Sequence, residues 1–175
     1  MSNYYRDNQD IQFYMQHTDF DRIVELKEDD FADKDRYPEA PVDVADAVDN
    51  YQRVLDIVGE IAGNFVAPRA RSVDEVGAKF DNGEVIYAPG TVESMARLKK
   101  ADLMGFTLPR RYGGLNMPKT VYTAAIEMIS RADASLMTFL ACRRSPTPST
   151  SSARRSRRSA FCPGSPPVRS WAPWP

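Results

Sequence analysis

The sequence contains few of the residues that bind metals or form disulfides. Among its 175 residues there is one histidine, His17, and there are two cysteines, Cys142 and Cys162. Neither a C-x-x-C pair nor a cysteine–histidine cluster is present, so the sequence predicts no metal site and no disulfide framework. No serine or cysteine lies near His17 to form a nucleophile pair, which favours a surface or packing role for its ring.

Long apolar runs are also missing. No segment approaches the roughly 20 apolar residues that a helix needs to cross a bilayer. Residues 1–10 are polar and charged, and no apolar stretch of the signal-peptide type follows them. These absences predict a soluble, cytoplasmic protein with no membrane partner.

The charges are distributed unequally along the chain, although their sum is only -1. Residues 1–141 contain 16 Lys and Arg against 24 Asp and Glu, a net charge of -8. Residues 142–175 contain seven Arg and no Lys, Asp or Glu, a net charge of +7, together with both tryptophans and seven of the 13 prolines. The second stretch has no helix or strand periodicity and too little apolar surface to offset chain entropy, so we expect it to be disordered.

The amino-terminal part of the chain is acidic and aromatic. Apolar spacings in residues 1–40 permit one or two short helices, and Pro38 and Pro41 end this extension. We expect Glu28 and the two aspartates after it to form a solvated acidic face.

The clearest helical pattern follows Asp43, which we predict to be an N-cap. Between residues 44 and 65, apolar residues recur at steps of three and four, with polar residues on the other side. Pro68 is predicted to end this helix. Residues 69–90 are predicted to form a loop with turns at Asp81-Asn82-Gly83 and Pro89-Gly90, and Thr91 is predicted to cap the next helix.

A third helix is predicted to open at Pro118 and to run towards Ser135 and Leu136. The chain has no convincing strand, and its amphipathic helices need partners for their apolar stripes. The sequence therefore predicts an all-α fold, a partial helical bundle of three to five helices with a disordered carboxyl-terminal tail. The predicted divisions are an extension over 1–40, a helical domain over 41–141 and the tail over 142–175.

Three motifs carry a resemblance to a known family. They are GFTLP at residues 105–109, YGGL at residues 112–115 and AIEMISRADASL at residues 125–136. In this order and spacing they resemble the amino-terminal helical domain of acyl-CoA dehydrogenases. The 1–40 segment resembles an extension found in a longer-chain branch of that family, and the resemblance covers about residues 1–138.

The resemblance implies α,β-dehydrogenation of acyl-CoA thioesters, in which FAD accepts a hydride and a glutamate removes the α-proton. It implies that FAD is bound mainly by a middle β domain and later helices, and that the base lies far downstream. We therefore expect no catalytic residue, no cofactor-binding residue and no bound FAD in this chain. In complete members, which are homo-oligomers, the end of the third helix lines the acyl-chain pocket, which implicates Leu136 and Thr138.

The resemblance ends where the composition changes, and a shift of reading frame explains both. If the tail is translated one base out of register, each codon of the original frame spans the junction between two adjacent tail residues. Because Trp has a single codon, the Trp171-Ala172 junction must then encode Gly and the Trp174-Pro175 junction must encode Ala. At many other junctions of the tail, the amino acids that the shifted codon can encode include the residue typical of the same family at that point. We therefore expect an inactive amino-terminal fragment of an acyl-CoA dehydrogenase that is followed by a frameshifted tail.

Two alternatives remain open. The true gene product is a complete, active enzyme if a base error interrupts the sequence. The chain is a stand-alone helical interaction module if the arginine pairs at 154–155 and 157–158 bind nucleic acid or an acidic surface. Ser and Pro interrupt those pairs, so nucleic-acid binding is not expected. Gly113-Gly114 indicates a turn, since no phosphate-binding glycine motif surrounds it.

Overall fold

A computed structural model describes residues 2–142 of the chain. These residues form seven α-helices and one β-hairpin, whose bounds are α1 Gln9–His17, α2 Asp21–Glu28, α3 Val44–Glu60, α4 Ala67–Val76, β1 Lys79–Asp81, β2 Glu84–Ile86, α5 Pro89–Lys100, α6 Lys119–Ala132 and α7 Ala134–Cys142. The predicted helical class is confirmed, but the helices are more numerous than expected because several are short and weakly periodic. Apart from Cys142, which ends α7, the tail predicted to be disordered lies outside the described residues.

Helices α3 and α6 pack against each other at the centre of the fold, with α2 against α3 and α7 against α6. Their buried side chains include Ala47, Tyr51, Leu55 and Val58 from α3 and Val121, Ala125, Met128 and Ile129 from α6. The apolar stripe predicted for α3 is therefore confirmed. Burial of each large apolar side chain contributes about 1.5–3 kcal/mol, so this helix pair supplies much of the stability.

The amino-terminal extension adds side chains to the same core. Four of its apolar side chains are buried in this core, namely Ile11 and Met15 from α1, Phe20 before α2 and Val24 within α2. The side chain of Asn8 caps α1 by accepting hydrogen bonds from the next turn of backbone. The chain before α3 is thus packed along the helical body rather than extended into solvent.

The prediction that Pro68 ends a helix is wrong. A π-helical turn, Ile61–Val66, follows α3, and the chain then continues through Pro68 into α4. Proline lacks an N–H, and in an α-helix its ring would meet the carbonyl of Asn64 four residues earlier. The wider turn, in which the Ala67 N–H bonds to the Ala62 carbonyl, accommodates the proline.

Residues 69–90 also differ from the predicted loop, since they contain most of α4 and the hairpin. The strands are antiparallel, with Lys79 opposite Ile86, Phe80 opposite Val85 and Asp81 opposite Glu84. The predicted turn at Asn82-Gly83 is confirmed, and its φ values of 48° and 87° are those of a type I′ turn. Strands of three residues are too short to give a recognisable alternation in the sequence.

Two predicted helix boundaries are also corrected. Helix α5 begins at Pro89, whose fixed φ suits a first helical turn, so the separate turn predicted at Pro89-Gly90 is wrong. Thr91 lies inside the helix and is buried instead of capping it. The third predicted helix is divided at Asp133, whose backbone is extended. The Asp133 carboxylate then caps α7, because its Oδ1 accepts hydrogen bonds from the N–H groups of Ser135 at 2.8 Å and Leu136 at 3.2 Å.

Candidate functional site

The GFTLP and YGGL motifs fold back on each other in a closed loop between α5 and α6. The loop contains 3-10 turns at Leu103–Gly105 and Arg110–Tyr112. Several backbone hydrogen bonds join its two sides, including those from Leu115 N–H to Gly105 O at 3.1 Å, from Asn116 N–H to Leu108 O at 2.8 Å and from Met117 N–H to Phe106 O at 2.9 Å. Gly114 is required at the crossing, because a Cβ there would lie 2.2 Å from the Leu108 carbonyl oxygen.

An apolar cavity lies beside this loop, against α6 and α7. It has a volume of about 20 Å³, and its lining includes Phe106, Tyr122 and Leu140. A second cavity of the same size adjoins it and shares these three residues. The Tyr122 hydroxyl donates a hydrogen bond to the Leu140 carbonyl at 3.2 Å, which ties α7 to α6 at this point. Cavities of this size hold about one water molecule, whereas sites for small ligands measure roughly 300–1,000 Å³.

The two residues implicated in acyl-chain binding lie on different sides of α7. Leu136 is fully buried in the core, while Thr138 is exposed. The Thr138 hydroxyl donates to the Ser135 carbonyl at 2.7 Å, a local bond along the helix. Positions two apart on a helix are separated by about 200° around its axis, so these side chains do not share one surface. Neither residue lines the small cavities described above.

A buried ion pair connects the amino-terminal extension to the motif loop. The Arg110 guanidinium donates to both carboxylate oxygens of Glu28, and the two side chains are 4% and 1% exposed. The Asn116 side-chain amide donates to Glu28 Oε1 at 3.3 Å and to the Lys27 carbonyl at 3.2 Å. The expectation that Glu28 belongs to a solvated face is therefore wrong, whereas the two following aspartates are exposed.

The ion pair affects the ionisation of its neighbours. Burial raises the pKa of the Tyr51 hydroxyl well above its usual value, and the negative charge of Glu28 raises it further. Burial also lowers the pKa of the Lys27 ammonium group. The negative charge of Glu28 opposes this shift, and the cationic side chains of Arg110 and Lys119 add to it. The Tyr51 hydroxyl and Arg110 Nε have no hydrogen-bond partner within the described residues.

The Glu28–Arg110 pair has the properties of a structural link and not of a reaction centre. Glu28 is shielded from solvent and bound by Arg110 and Asn116, so no substrate proton can approach it directly. Within residues 2–142, no group of three or more His, Cys, Asp or Glu side chains is placed to bind a metal. In the same residues, no helix combines the length and apolar character needed to cross a bilayer.

The sequence contains a local signal for the burial of Glu28, but it does not identify the partner of this residue. Phe20, Val24 and Glu28 follow one another at four-residue steps, so Glu28 extends the buried face of α2. Its partner Arg110 lies 82 residues away. Nothing in the local pattern indicates that these two positions meet.

Residues 49–147, more than half of the chain, match the family described as acyl-CoA dehydrogenase, N-terminal domain. A 3-methylmercaptopropionyl-CoA dehydrogenase from Ruegeria pomeroyi is 28% identical over 88 residues. That alignment covers 50% of this chain but only 15% of the relative. The family match at residues 49–147 contains the motif loop, α6 and α7.

Proposed function

Because the chain belongs to the acyl-CoA dehydrogenase family, we propose that residues 41–141 are the amino-terminal helical domain of an FAD-dependent enzyme that dehydrogenates acyl-CoA thioesters between the α and β carbons. The observation that carries this proposal is the coincidence of the family match with the closed GFTLP–YGGL loop. That loop fixes α6 relative to α5 and so determines which surfaces the domain offers to the rest of an enzyme.

We propose that the 175-residue chain by itself neither retains FAD nor catalyses the reaction. A flavin supplies the hydride acceptor in this chemistry, and it requires a large pocket with polar groups at its edge. The cavities beside the motif loop hold about 20 Å³ each and are lined mostly by apolar side chains, so they do not fit an isoalloxazine ring. The buried carboxylate of Glu28 is bound by Arg110 and has no access to a substrate proton.

Helix α7 would supply the domain's part of the acyl-chain pocket. We propose that Thr138 contacts the acyl chain, and its position on the exposed side of this helix supports that role. Leu136 would hold α7 against the core from the other side. The two residues implicated in the sequence therefore have different roles in this proposal, one in contact with the acyl chain and one in support of the helix.

We propose that the sequence leaves the family's reading frame near residue 138, which accounts for the switch from acidic to basic composition. The first test is to sequence the gene across the codons for residues 135–142 and to express both the 175-residue chain and a version with a one-base correction. The corrected protein should copurify with flavin and reduce an artificial electron acceptor when acyl-CoA is added, and the 175-residue chain should do neither. Flavin retention and turnover by the 175-residue chain would refute its inactivity, and a correction that opens no long frame would refute the frameshift.

The roles of the two α7 residues are tested in the corrected protein. Thr138→Leu should change the preference between short and long acyl chains with little change in stability. Leu136→Ala should lower the free energy of unfolding by about 2–5 kcal/mol, because it leaves a cavity in the core. Equal chain-length preference in wild type and Thr138→Leu would refute the assignment of Thr138.

A further inference from the structure

The β-hairpin presents apolar side chains and a free strand edge to solvent. Phe80 is 76% exposed, Val85 52% and Ile86 53%. Every residue of both strands is exposed. An isolated two-stranded hairpin is only marginally stable in water, and exposed edges invite further strand pairing. The outer edges of both strands are therefore available for pairing with a further strand.

The register of the hairpin shows which backbone groups are available on β1. In a two-residue hairpin the pair that closes the turn, Asp81 and Glu84, exchanges hydrogen bonds, and bonded and non-bonded pairs then alternate. Phe80 and Val85 are therefore a non-bonded pair, and the N–H and C=O of Phe80 point away from β2. No backbone partner for Phe80 occurs in the part of the chain that the structure describes.

The sequence of β1 is complementary to itself in an antiparallel arrangement. If two copies of β1 pair about a two-fold axis at Phe80, each Phe80 donates its N–H to the carbonyl of the other, which gives two hydrogen bonds. Lys79 then lies opposite Asp81 of the second copy, and the same contact recurs on the other side of the axis. Neither charged side chain has an ion-pair partner within the described residues, so both are available for this contact.

The outer edge of β2 is less suited to such pairing. Self-pairing about Val85 would place the Glu84 carboxylate opposite the apolar side chain of Ile86 in the second copy. Pairing through β1 instead places the two Phe80 rings side by side, with Val85 of each copy on the same face of the sheet. The charge and apolar patterns therefore both favour the β1 edge.

We propose that two copies of this chain associate through β1, forming a four-stranded antiparallel sheet in the order β2-β1-β1-β2. The interface is isologous, since the same three residues of each copy meet about the axis. The shortness of β1 makes this a weak, concentration-dependent dimer. Association does not depend on whether the chain takes part in acyl-CoA chemistry.

A charge-swap series tests the interface by sedimentation equilibrium on the full 175-residue chain. Lys79→Asp and Asp81→Lys each place like charges opposite each other at two points, and each should raise the dimer dissociation constant by roughly tenfold. The double variant with both changes restores opposite charges across the axis and should return to within about threefold of wild type. Asp35→Lys makes the same charge change at an exposed position outside the hairpin and should leave the dissociation constant unchanged.

Three results would overturn the proposal. A wild-type chain that stays monomeric up to about 1 mM has no useful affinity for itself. A double variant that is as weak as the single variants would show that Lys79 and Asp81 do not face each other. A dimer that is insensitive to all these changes would be formed by a different surface.

Discussion

Replacement of Arg110 by methionine should destabilise the fold far more than the loss of one surface charge. The Arg110 side chain is 4% exposed and binds both oxygens of the Glu28 side chain, which is 1% exposed. Without the guanidinium, the buried carboxylate keeps only the Asn116 amide, at 3.3 Å. Removal of one partner from a buried ion pair costs about 3–5 kcal/mol, because the other charge is left uncompensated.

The double variant Glu28→Leu with Arg110→Met removes both buried charges, so it should recover most of the loss and lie within about 2 kcal/mol of wild type. Urea unfolding followed by far-UV circular dichroism measures each free energy by linear extrapolation. If Arg110→Met alone does not fold, recovery of a cooperative transition in the double variant is the decisive observation. An Arg110→Met variant within about 1 kcal/mol of wild type would refute the reasoning.

The Arg6–Asp56 pair provides a matched control on the surface. Arg6 donates to Asp56 through Nε and a terminal nitrogen, both at 2.6 Å, but its side chain is 69% exposed. Asp56→Asn should therefore change stability by less than about 1 kcal/mol. The hydrogen bond from Arg6 lowers the pKa of the Asp56 carboxyl. The contribution of Asp56 is thus present above the unfolded pKa of about 3.9 and is lost as the pH falls through the lower folded value.

Substitutions at three further positions test individual contacts. Gly63→Ala should release the amino-terminal segment, because the Cβ of the alanine would lie 2.4 Å from the Ser2 carbonyl oxygen. Faster amide hydrogen exchange near Ser2 would show this release, and unchanged exchange would contradict it. Gly114→Ala should destabilise the motif loop by more than about 2 kcal/mol in urea unfolding, since the Leu108 backbone leaves no room for a side chain, and a neutral effect would contradict the close approach. Asp133→Ala removes the cap of α7 and should cost about 1 kcal/mol by the same assay, whereas Asp133→Asn should retain most of the capping.

The strongly periodic parts of the fold could be predicted from the sequence. Asp43 caps α3 as expected, with its Oδ1 accepting a hydrogen bond from the Asp46 N–H at 2.8 Å. Interactions between residues close in sequence also account for the apolar stripe of α3, the turn at Asn82-Gly83 and the start of α6 after Pro118. Local spacing and local capping chemistry are sufficient to indicate such features.

The errors at Pro68 and Asp133 have a common cause. Local rules treat proline as a helix stop and an aspartate in a helical pattern as an interior residue. In the fold, a π-helical turn lets α3 continue into α4 past Pro68, and Asp133 begins a new helix. Each outcome depends on how the neighbouring helices are packed, since the short helices that result are stable only with tertiary support.

The sequence by itself determined the family, through three motifs in a fixed order, and the helical class, through apolar residues that recur at helical spacing. Only the tertiary structure decided that Glu28 is buried against Arg110, that Leu136 and Thr138 lie on different sides of α7, and that β1 has a free edge. The physical reason is the range of the interactions. Helical periodicity is set by neighbours three or four residues away, whereas the burial of a charge or the exposure of a strand depends on segments that are distant in the chain.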